Sequence, residues 1–433
     1  MIGVIADDFT GANDIGIMFA KNDYKVLVYS VYENPGLIDK DADVIILNTN
    51  SRLDSSDIAY RKAAEATRVL KELGCTMFHK KTCSVFRGNI GAEFDGMMDE
   101  LKAEFCPVIL GFPSNGRTTR QGVHYVNGVL LEDSPFKHDP VHPMLESDLV
   151  RILQKQTSRK VGLIGYDVVK EGVRALKAAL ANARRDYQYV ILDVLDQSDL
   201  NTIAGAVKDE TAIAGSSAIG EELPKWLPKK GRGSKPRHFK GECLDAGTLI
   251  VSGSVTPQTC RQVKAAKEKG YAAFSLTADK VFDLDRRDEI IDEYASWILD
   301  VVKRGEGALM HSENDPESIR KTKQLGVERG MDEIGTGRLI SSMLSDITAK
   351  VLVNGSVSRL IVLGGETSGT ICDSLGIIGN IVLEEIEPGV PSVLSIGKVS
   401  ILMAPKSGSF GSDDFVHKAD VHLKMLQGCP NAV

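Results

Sequence analysis

MIGVIADDFTGANDIGIMFAKNDYKVLVY (residues 1–29) sets the architecture. GVIA (3–6) and KVLVY (25–29) are short apolar runs of the kind that form buried strands, and the stretch between them is long enough for a helix. The pattern repeats. DVIILN (43–48), TMFHK (76–80), PVILGF (107–112), KVGLIG (160–165) and YVILDV (189–194) continue the strands, and segments such as 55–74 have helical composition and spacing. A strand–helix alternation of this sort implies a mainly parallel sheet flanked by helices.

The rhythm breaks at 225–242, KWLPKKGRGSKPRHFKGE, a basic, glycine- and proline-containing stretch that reads as a linker. It then resumes with GTLIVSGS (247–254), YAAFSL (271–276), GALMHS (307–312), RLIVLGGE (359–366) and ILMAPKSG (401–408), with helical patterns over 256–269, 286–303 and 335–353. The fold class is therefore α/β with two domains, each a mainly parallel sheet flanked by helices. The expected boundaries are 1–228, a linker at 229–244, and 245–433. Ligands of such sheets bind beyond the carboxyl ends of the strands.

Composition narrows the function. A net charge of −7 lacks the basic excess of a dedicated nucleic-acid binder. The seven cysteines (75, 83, 106, 243, 260, 372 and 429) form no CxxC pair, which points to reduced thiols in a cytoplasmic protein and away from a zinc site. Neither His138 with His142 nor His417 with His422 suggests a metal site, and the metal ligands stay unknown. No apolar run approaches the roughly 20 residues of a membrane span. With two aspartates by position 8, the first residues read as a strand and not as a signal peptide.

Five strand ends carry polar or glycine-rich turns. In IADDFTGAND (5–14), Asp7 and Asp8 leave a strand just before Thr10 and Gly11. A carboxylate there can accept a substrate hydroxyl, hold magnesium, act as a base, or cap the next helix. In HKKTCSVFRGNIGAE (79–93), Lys80, Lys81 and Arg87 supply positive charge ahead of a helix, a setting that suits a carboxylate or phosphate but also fits a basic surface loop. GFPSNGRTTRQGVHYVNG (111–128) adds Arg117, Thr118, Thr119 and Arg120, and its glycines also fit a hairpin. VLGGETSGT (362–370) and APKSGSFGS (404–412) let backbone amides approach phosphates; VSGSVTP (251–257) could add a wall to the same pocket. Neither of the two glycine-rich turns has the Walker or the dinucleotide GxGxxG spacing. A first half suited to an anionic polyol and a second half suited to phosphates point to a kinase.

These stretches resemble the four-carbon acid sugar kinase family, in order and over essentially the whole chain: IADDFTGAND, KKTCSVFRGN, GRTTRQGVHYVNG with HDPVHPMLES (138–147), VSGSVTP, GGETSG and KSGSFGS. The resemblance implies a sugar-acid-binding N-terminal domain, an ATP-binding C-terminal domain and an active site in the interdomain cleft. It implies phosphorylation of the 4-hydroxyl of a tetronate, D-threonate first, with 3-oxo-tetronate or erythronate as alternatives. By resemblance Asp8, Arg52, Lys81 and Ser84 serve the substrate, joined by Thr82, Cys83, Arg87, Asn89 and Arg117. Ser254, Gly364, Gly365, Glu366, Thr367 and Gly408 serve ATP, with Mg2+ as counter-ion. Asp8 or Asp7 would be the base. The sequence departs from the family where Cys83 replaces an aspartate, Val85 a threonine, and NTNSR (48–52) an Asp-Thr-Asp-Ser-Arg run. A non-catalytic sugar-acid sensor is the rival from another class. A hydrolase or aldolase of phosphorylated sugar acids is a second, marked by turnover without ATP. The expected partners are a small-molecule sugar acid and ATP, with no nucleic acid and no membrane. A homodimer is the base expectation for assembly.

Overall fold

The computed structural model describes residues 1–30, 32–139, 141–228, 246–353 and 357–428. The expected linker at 229–244 lies outside the described residues. The chain divides into two compact units, Met1–Lys235 and Pro236–Val433.

The first unit contains β1 (Ile2–Ala6), β2 (Val26–Tyr29), β3 (Val44–Asn48), β4 (Met77–Lys81), β5 (Cys106–Ile109), β6 (Arg117–Arg120), β7 (Val123–Val126), β8 (Val129–Leu130), β9 (Val161–Ile164), β10 (Tyr189–Leu192) and β11 (Ala212–Gly215). The main sheet runs β2-β3-β1-β4-β11-β5-β10-β9, and each pairing within it is parallel. Its central strands are buried on both faces, which explains continuous apolar runs where a one-sided sheet would alternate. The helix Ser56–Glu72 buries Ala59, Ala63, Ala66, Val69 and Leu70, a stripe at helical spacing that packs on the helix Ile90–Leu101. β6, β7 and β8 form a small antiparallel sheet, so the hairpin reading of 111–128 describes this segment.

The second unit holds β12 (Thr248–Ser252), β13 (Ala272–Leu276), β14 (Ala308–Ser312), β15 (Arg359–Leu363), β16 (Ile377–Glu387), β17 (Val390–Gly397) and β18 (Leu402–Lys406). The order is β13-β14-β12-β15-β18-β17-β16. The first five are parallel, and β17 pairs antiparallel with both β18 and β16. Ile250, Leu309, Ile361 and Ala404 pack with Val263, Phe415 and Leu423 in one core.

Beyond the small antiparallel sheet, three strands escaped the sequence reading. β11 is AIAG, three small residues around a single isoleucine, yet it lies between β4 and β5. The hairpin β16–β17 turns at residues 388–389, between Glu387 and Val390.

Candidate active site

The carboxyl ends of β1, β3, β4 and β11 lie side by side. Ala6 is in register with Asn48 and Lys81, and Lys81 with Gly215. The turns that follow these strands therefore share one edge of the sheet.

Asp7 is fully buried. Arg52 grips it twice, Nε to Oδ2 at 2.8 Å and Nη2 to Oδ1 at 2.9 Å. Burial alone would raise the carboxyl's pKa, but the Arg52 guanidinium, with Lys80 and Lys81 nearby, outweighs it and holds Asp7 at about 2. Arg52 Nη1 donates to Asp8 Oδ2 at 2.7 Å. Burial opposes the guanidinium's charge, yet the two aspartates raise its pKa well above the ordinary value.

Asp8 differs from its neighbour, with 24% of its side chain accessible. Its Oδ1 accepts the Gly11 N–H at 2.8 Å and caps the helix Phe9–Ala20, while Oδ2 also accepts the Thr10 hydroxyl at 3.0 Å. Asp8 is thus both a helix cap and an open carboxylate. Of the two aspartates expected as base, Asp7 has both oxygens held by Arg52 and no open surface, whereas Asp8 presents an accessible carboxylate.

Adjacent strand residues face opposite sides of a sheet, and this separates the two lysines of β4. Lys80 pairs with Glu93 at 3.0 Å, both side chains fully buried. The Ser51 hydroxyl donates to the other Glu93 oxygen, and its oxygen lies 2.7 Å from that of Thr49, which stands 2.9 Å from the Ala6 carbonyl. Burial raises the Glu93 pKa more than Lys80 lowers it. Lys81 Nζ donates to the Thr82 carbonyl at 2.9 Å and stands 3.8 Å from Asp14, whose carboxylate accepts the Ser217 hydroxyl at 2.6 Å.

The turn after β4 brings further candidates together. The Thr82 hydroxyl is buried and has no hydrogen-bond partner among the described residues. Cys83 Sγ accepts from Arg87 Nε at 3.4 Å. Burial pushes this thiol up, but Arg87 and Arg52 together bring it below its ordinary value. The Ser84 carbonyl accepts from His124 Nε2 at 2.9 Å. Arg87 donates to Asp139 at 2.6 Å, and both Arg87 and Arg117 lie over the Phe136 ring, 5.2 Å and 5.9 Å from its centre. Arg117 Nε is buried without a partner among the described residues. The Asn89 amide donates to the carbonyls of Asp54 at 2.8 Å and Ser51 at 3.2 Å, fastening the turn that carries Arg52.

In the second unit Ser252, Leu363 and Lys406 are in register at the ends of β12, β15 and β18. The three glycine-bearing turns beyond them touch. A Cβ on Gly253 would fall 2.2 Å from Thr367 Oγ1, and one on Gly408 would fall 2.5 Å from Ser254 Oγ. Gly364 is the N-cap of the helix Gly365–Ser374, so the first-turn amides of Gly365, Glu366 and Thr367 begin a helix with its positive dipole end. Thr367 is buried and Glu366 is exposed. The Thr256 and Thr259 hydroxyls donate to the Gly408 carbonyl at 2.6 Å and 2.9 Å.

Sequence reasoning missed Glu93, Phe136, Asp139 and Lys406 as parts of these sites. Lys406 had a signal, a lone lysine closing the apolar run ILMAP just before a glycine turn. It is almost wholly buried, and burial, against the opposing pull of Glu387, lowers its pKa to about 7. The first edge thus offers guanidinium and ammonium groups with one open carboxylate, which suits a hydroxylated anion. The second offers amides, hydroxyls and a helix start, which suits phosphates.

Comparison with known proteins gives the same division. Residues 2–223 match a family described as a sugar-binding N-terminal domain, and residues 249–416 match one described as a nucleotide-binding C-terminal domain. The chain is 33% identical to a 3-oxo-tetronate kinase of Pseudomonas savastanoi pv. phaseolicola, over 99% of this chain and 98% of that one. It is 31% identical to a 3-oxo-tetronate kinase of Haemophilus influenzae, over 97% and 99%. Among solved structures it resembles a Salmonella typhimurium LT2 protein, with a TM-score of 0.84 at 29% identity over 96% of this chain and 98% of that one. A Haemophilus influenzae structure matches with a TM-score of 0.77 at 30% identity over the same shares.

Proposed function

The chain belongs to the four-carbon acid sugar kinase family, and from that premise we propose that it transfers the γ-phosphoryl group of ATP to the terminal hydroxyl of a four-carbon sugar acid. The observation that carries the reading is the contrast between Asp8 and Asp7, one carboxylate open and one sealed by the same arginine. A phosphoryl acceptor needs a single positioned base beside cations that hold its carboxylate.

In this reading the acid's carboxylate lies on Arg87, Arg117 and Lys81. The buried Thr82 hydroxyl and Arg117 Nε, which lack protein partners among the described residues, bond its oxygens. Asp8 accepts the proton of the terminal hydroxyl as it attacks. Arg52, fixed by Asp7, holds Asp8 in place. The amides and hydroxyls of Ser254, Gly364, Gly365, Thr367 and Gly408 hold the triphosphate. Positioning and neutralisation of charge supply most of the catalysis.

Magnesium supplies charge neutralisation at the phosphates when bound. Among the described residues no group of three or more His, Cys, Asp or Glu could hold a metal ion. That fits an ion that keeps several waters and takes its remaining ligands from phosphates and one or two carboxylates. Glu366, exposed in the first turn of its helix, would be the carboxylate that assists.

For the acceptor, 3-oxo-tetronate takes first place because the similar kinases carry that name. D-threonate is the second reading, favoured by Asn13 and Asp14 after Thr10-Gly11. ADP release with Mg-ATP against 3-oxo-tetronates, both threonates and both erythronates separates them. Turnover confined to one acid names the substrate. Nucleotide binding without turnover on any acid would overturn the kinase reading in favour of a sensor.

A further inference from the structure

Two successive peptide units after β18 face one buried ammonium. Lys406 Nζ donates to the Ser407 carbonyl at 2.8 Å and lies 3.3 Å from both the Gly408 carbonyl and Thr259 Oγ1. The Gly408 carbonyl also takes the Thr256 and Thr259 hydroxyls. There are no cis peptide bonds among the described residues. In a trans peptide the C=O and the following N–H point in opposite directions. Drawing the Ser407 and Gly408 carbonyls inward therefore turns the Gly408 and Ser409 N–H groups outward. Consecutive outward N–H groups make a concave anion-binding nest.

We propose that Lys406 is a positioning residue that shapes the Gly408 and Ser409 amides into an anion nest for the nucleotide's triphosphate, acting from beneath without touching phosphate. The inference rests on the ATP reading above and adds how one of its turns is built.

The surroundings of Lys406 support a linked proton. Glu387 of β16 is the carboxylate that acts on it, and that carboxylate is itself held by Ser412 and by Lys418. Phe415 presents its ring 6.0 Å from the ammonium, and Thr259 offers only a hydroxyl. With burial dominant, the group titrates at about 7. Polyphosphate above the nest adds negative charge and raises that value, so binding near neutral pH takes up a proton.

The test is calorimetry on the full chain with a non-hydrolysable Mg-ATP analogue and, separately, adenosine. We expect Lys406→Met to weaken the analogue by about tenfold or more and to leave adenosine within about twofold. Wild type should take up a proton at pH 7, read from buffers of different ionisation enthalpy, in excess of Lys406→Arg, whose guanidinium stays charged. Analogue binding unchanged in Lys406→Met, or adenosine lost in equal measure, overturns the proposal. Should Lys406→Met not fold, equal proton uptake by wild type and Lys406→Arg overturns it instead. Wild type that binds neither analogue nor adenosine sinks the ATP reading itself.

Discussion

The two sheet edges that carry the candidate sites are built by different means. The edge of the first unit is built from charged side chains in matched pairs: Arg52 with Asp7 and Asp8, Lys80 with Glu93, Arg87 with Asp139. The edge of the second is built from backbone, with glycines that let turns touch, threonine hydroxyls that aim carbonyls, and one buried lysine. A sugar acid carries hydroxyls in a fixed arrangement, and side chains can match them one by one. A triphosphate repeats one group, and an array of amides serves every copy. The difference teaches where each edge is fragile: the first to loss of a charge, the second to gain of a methyl.

The largest effect should come from the open carboxylate. Asp8→Asn keeps a good helix cap, so the fold persists, but turnover should drop by about a hundred- to ten-thousand-fold. Steady-state ADP release with nucleotide affinity measured alongside checks this; near-normal turnover would remove Asp8 from the role of base. Next comes the buried pair. Lys80→Met leaves Glu93 sealed without its partner and should cost about 3–5 kcal/mol in chemical denaturation. Adding Glu93→Gln should recover part of that loss, and simple additivity of the two changes would show that they do not act as a pair.

A methyl probes the second edge. Gly253→Ala would bring a Cβ to 2.2 Å from Thr367 Oγ1, so the turn must shift, at about 1–3 kcal/mol. Nucleotide affinity should fall while sugar-acid binding holds, and an unchanged nucleotide affinity would show that the contact between these turns is dispensable. The smallest effect is confined to acid. Asp7 sits at about 2 when folded, below its ordinary 3.8. A lowered carboxyl stabilises the fold above its unfolded value and stops doing so as pH falls through the folded one. The stability advantage of wild type over Asp7→Asn should therefore shrink as pH falls from about 4 to about 2, and parallel curves across that window would contradict the Arg52 grip.

Much of this was legible in the chain. The apolar runs at 3–6, 43–48 and 247–254 are strands because a doubly covered parallel sheet demands continuous burial, and that demand is written locally. The turns that carry the candidates follow from strand ends. Less legible were β11, whose single isoleucine among small residues makes no apolar run, and Asn89, whose amide fastens the turn that carries Arg52. Cys83 stands between. Its replacement of an aspartate is visible in the sequence, but only the Arg87 and Arg52 neighbours explain why a buried thiol there has its pKa lowered and not raised.

The sequence by itself determined the two α/β units, the strand ends that carry the candidate residues, and the residue types that gather there. It did so because side-chain period and turn chemistry are properties of neighbours in the chain. The tertiary structure alone decided which of two adjacent aspartates is open, which of two adjacent lysines is sealed against Glu93, and that Lys406 lies beneath a glycine turn. Those outcomes depend on burial and on partners far away in sequence, 42 residues from Ser51 to Glu93 and 152 from Thr256 to Gly408. A charge's environment is set by whatever the fold brings against it, and no local pattern records that.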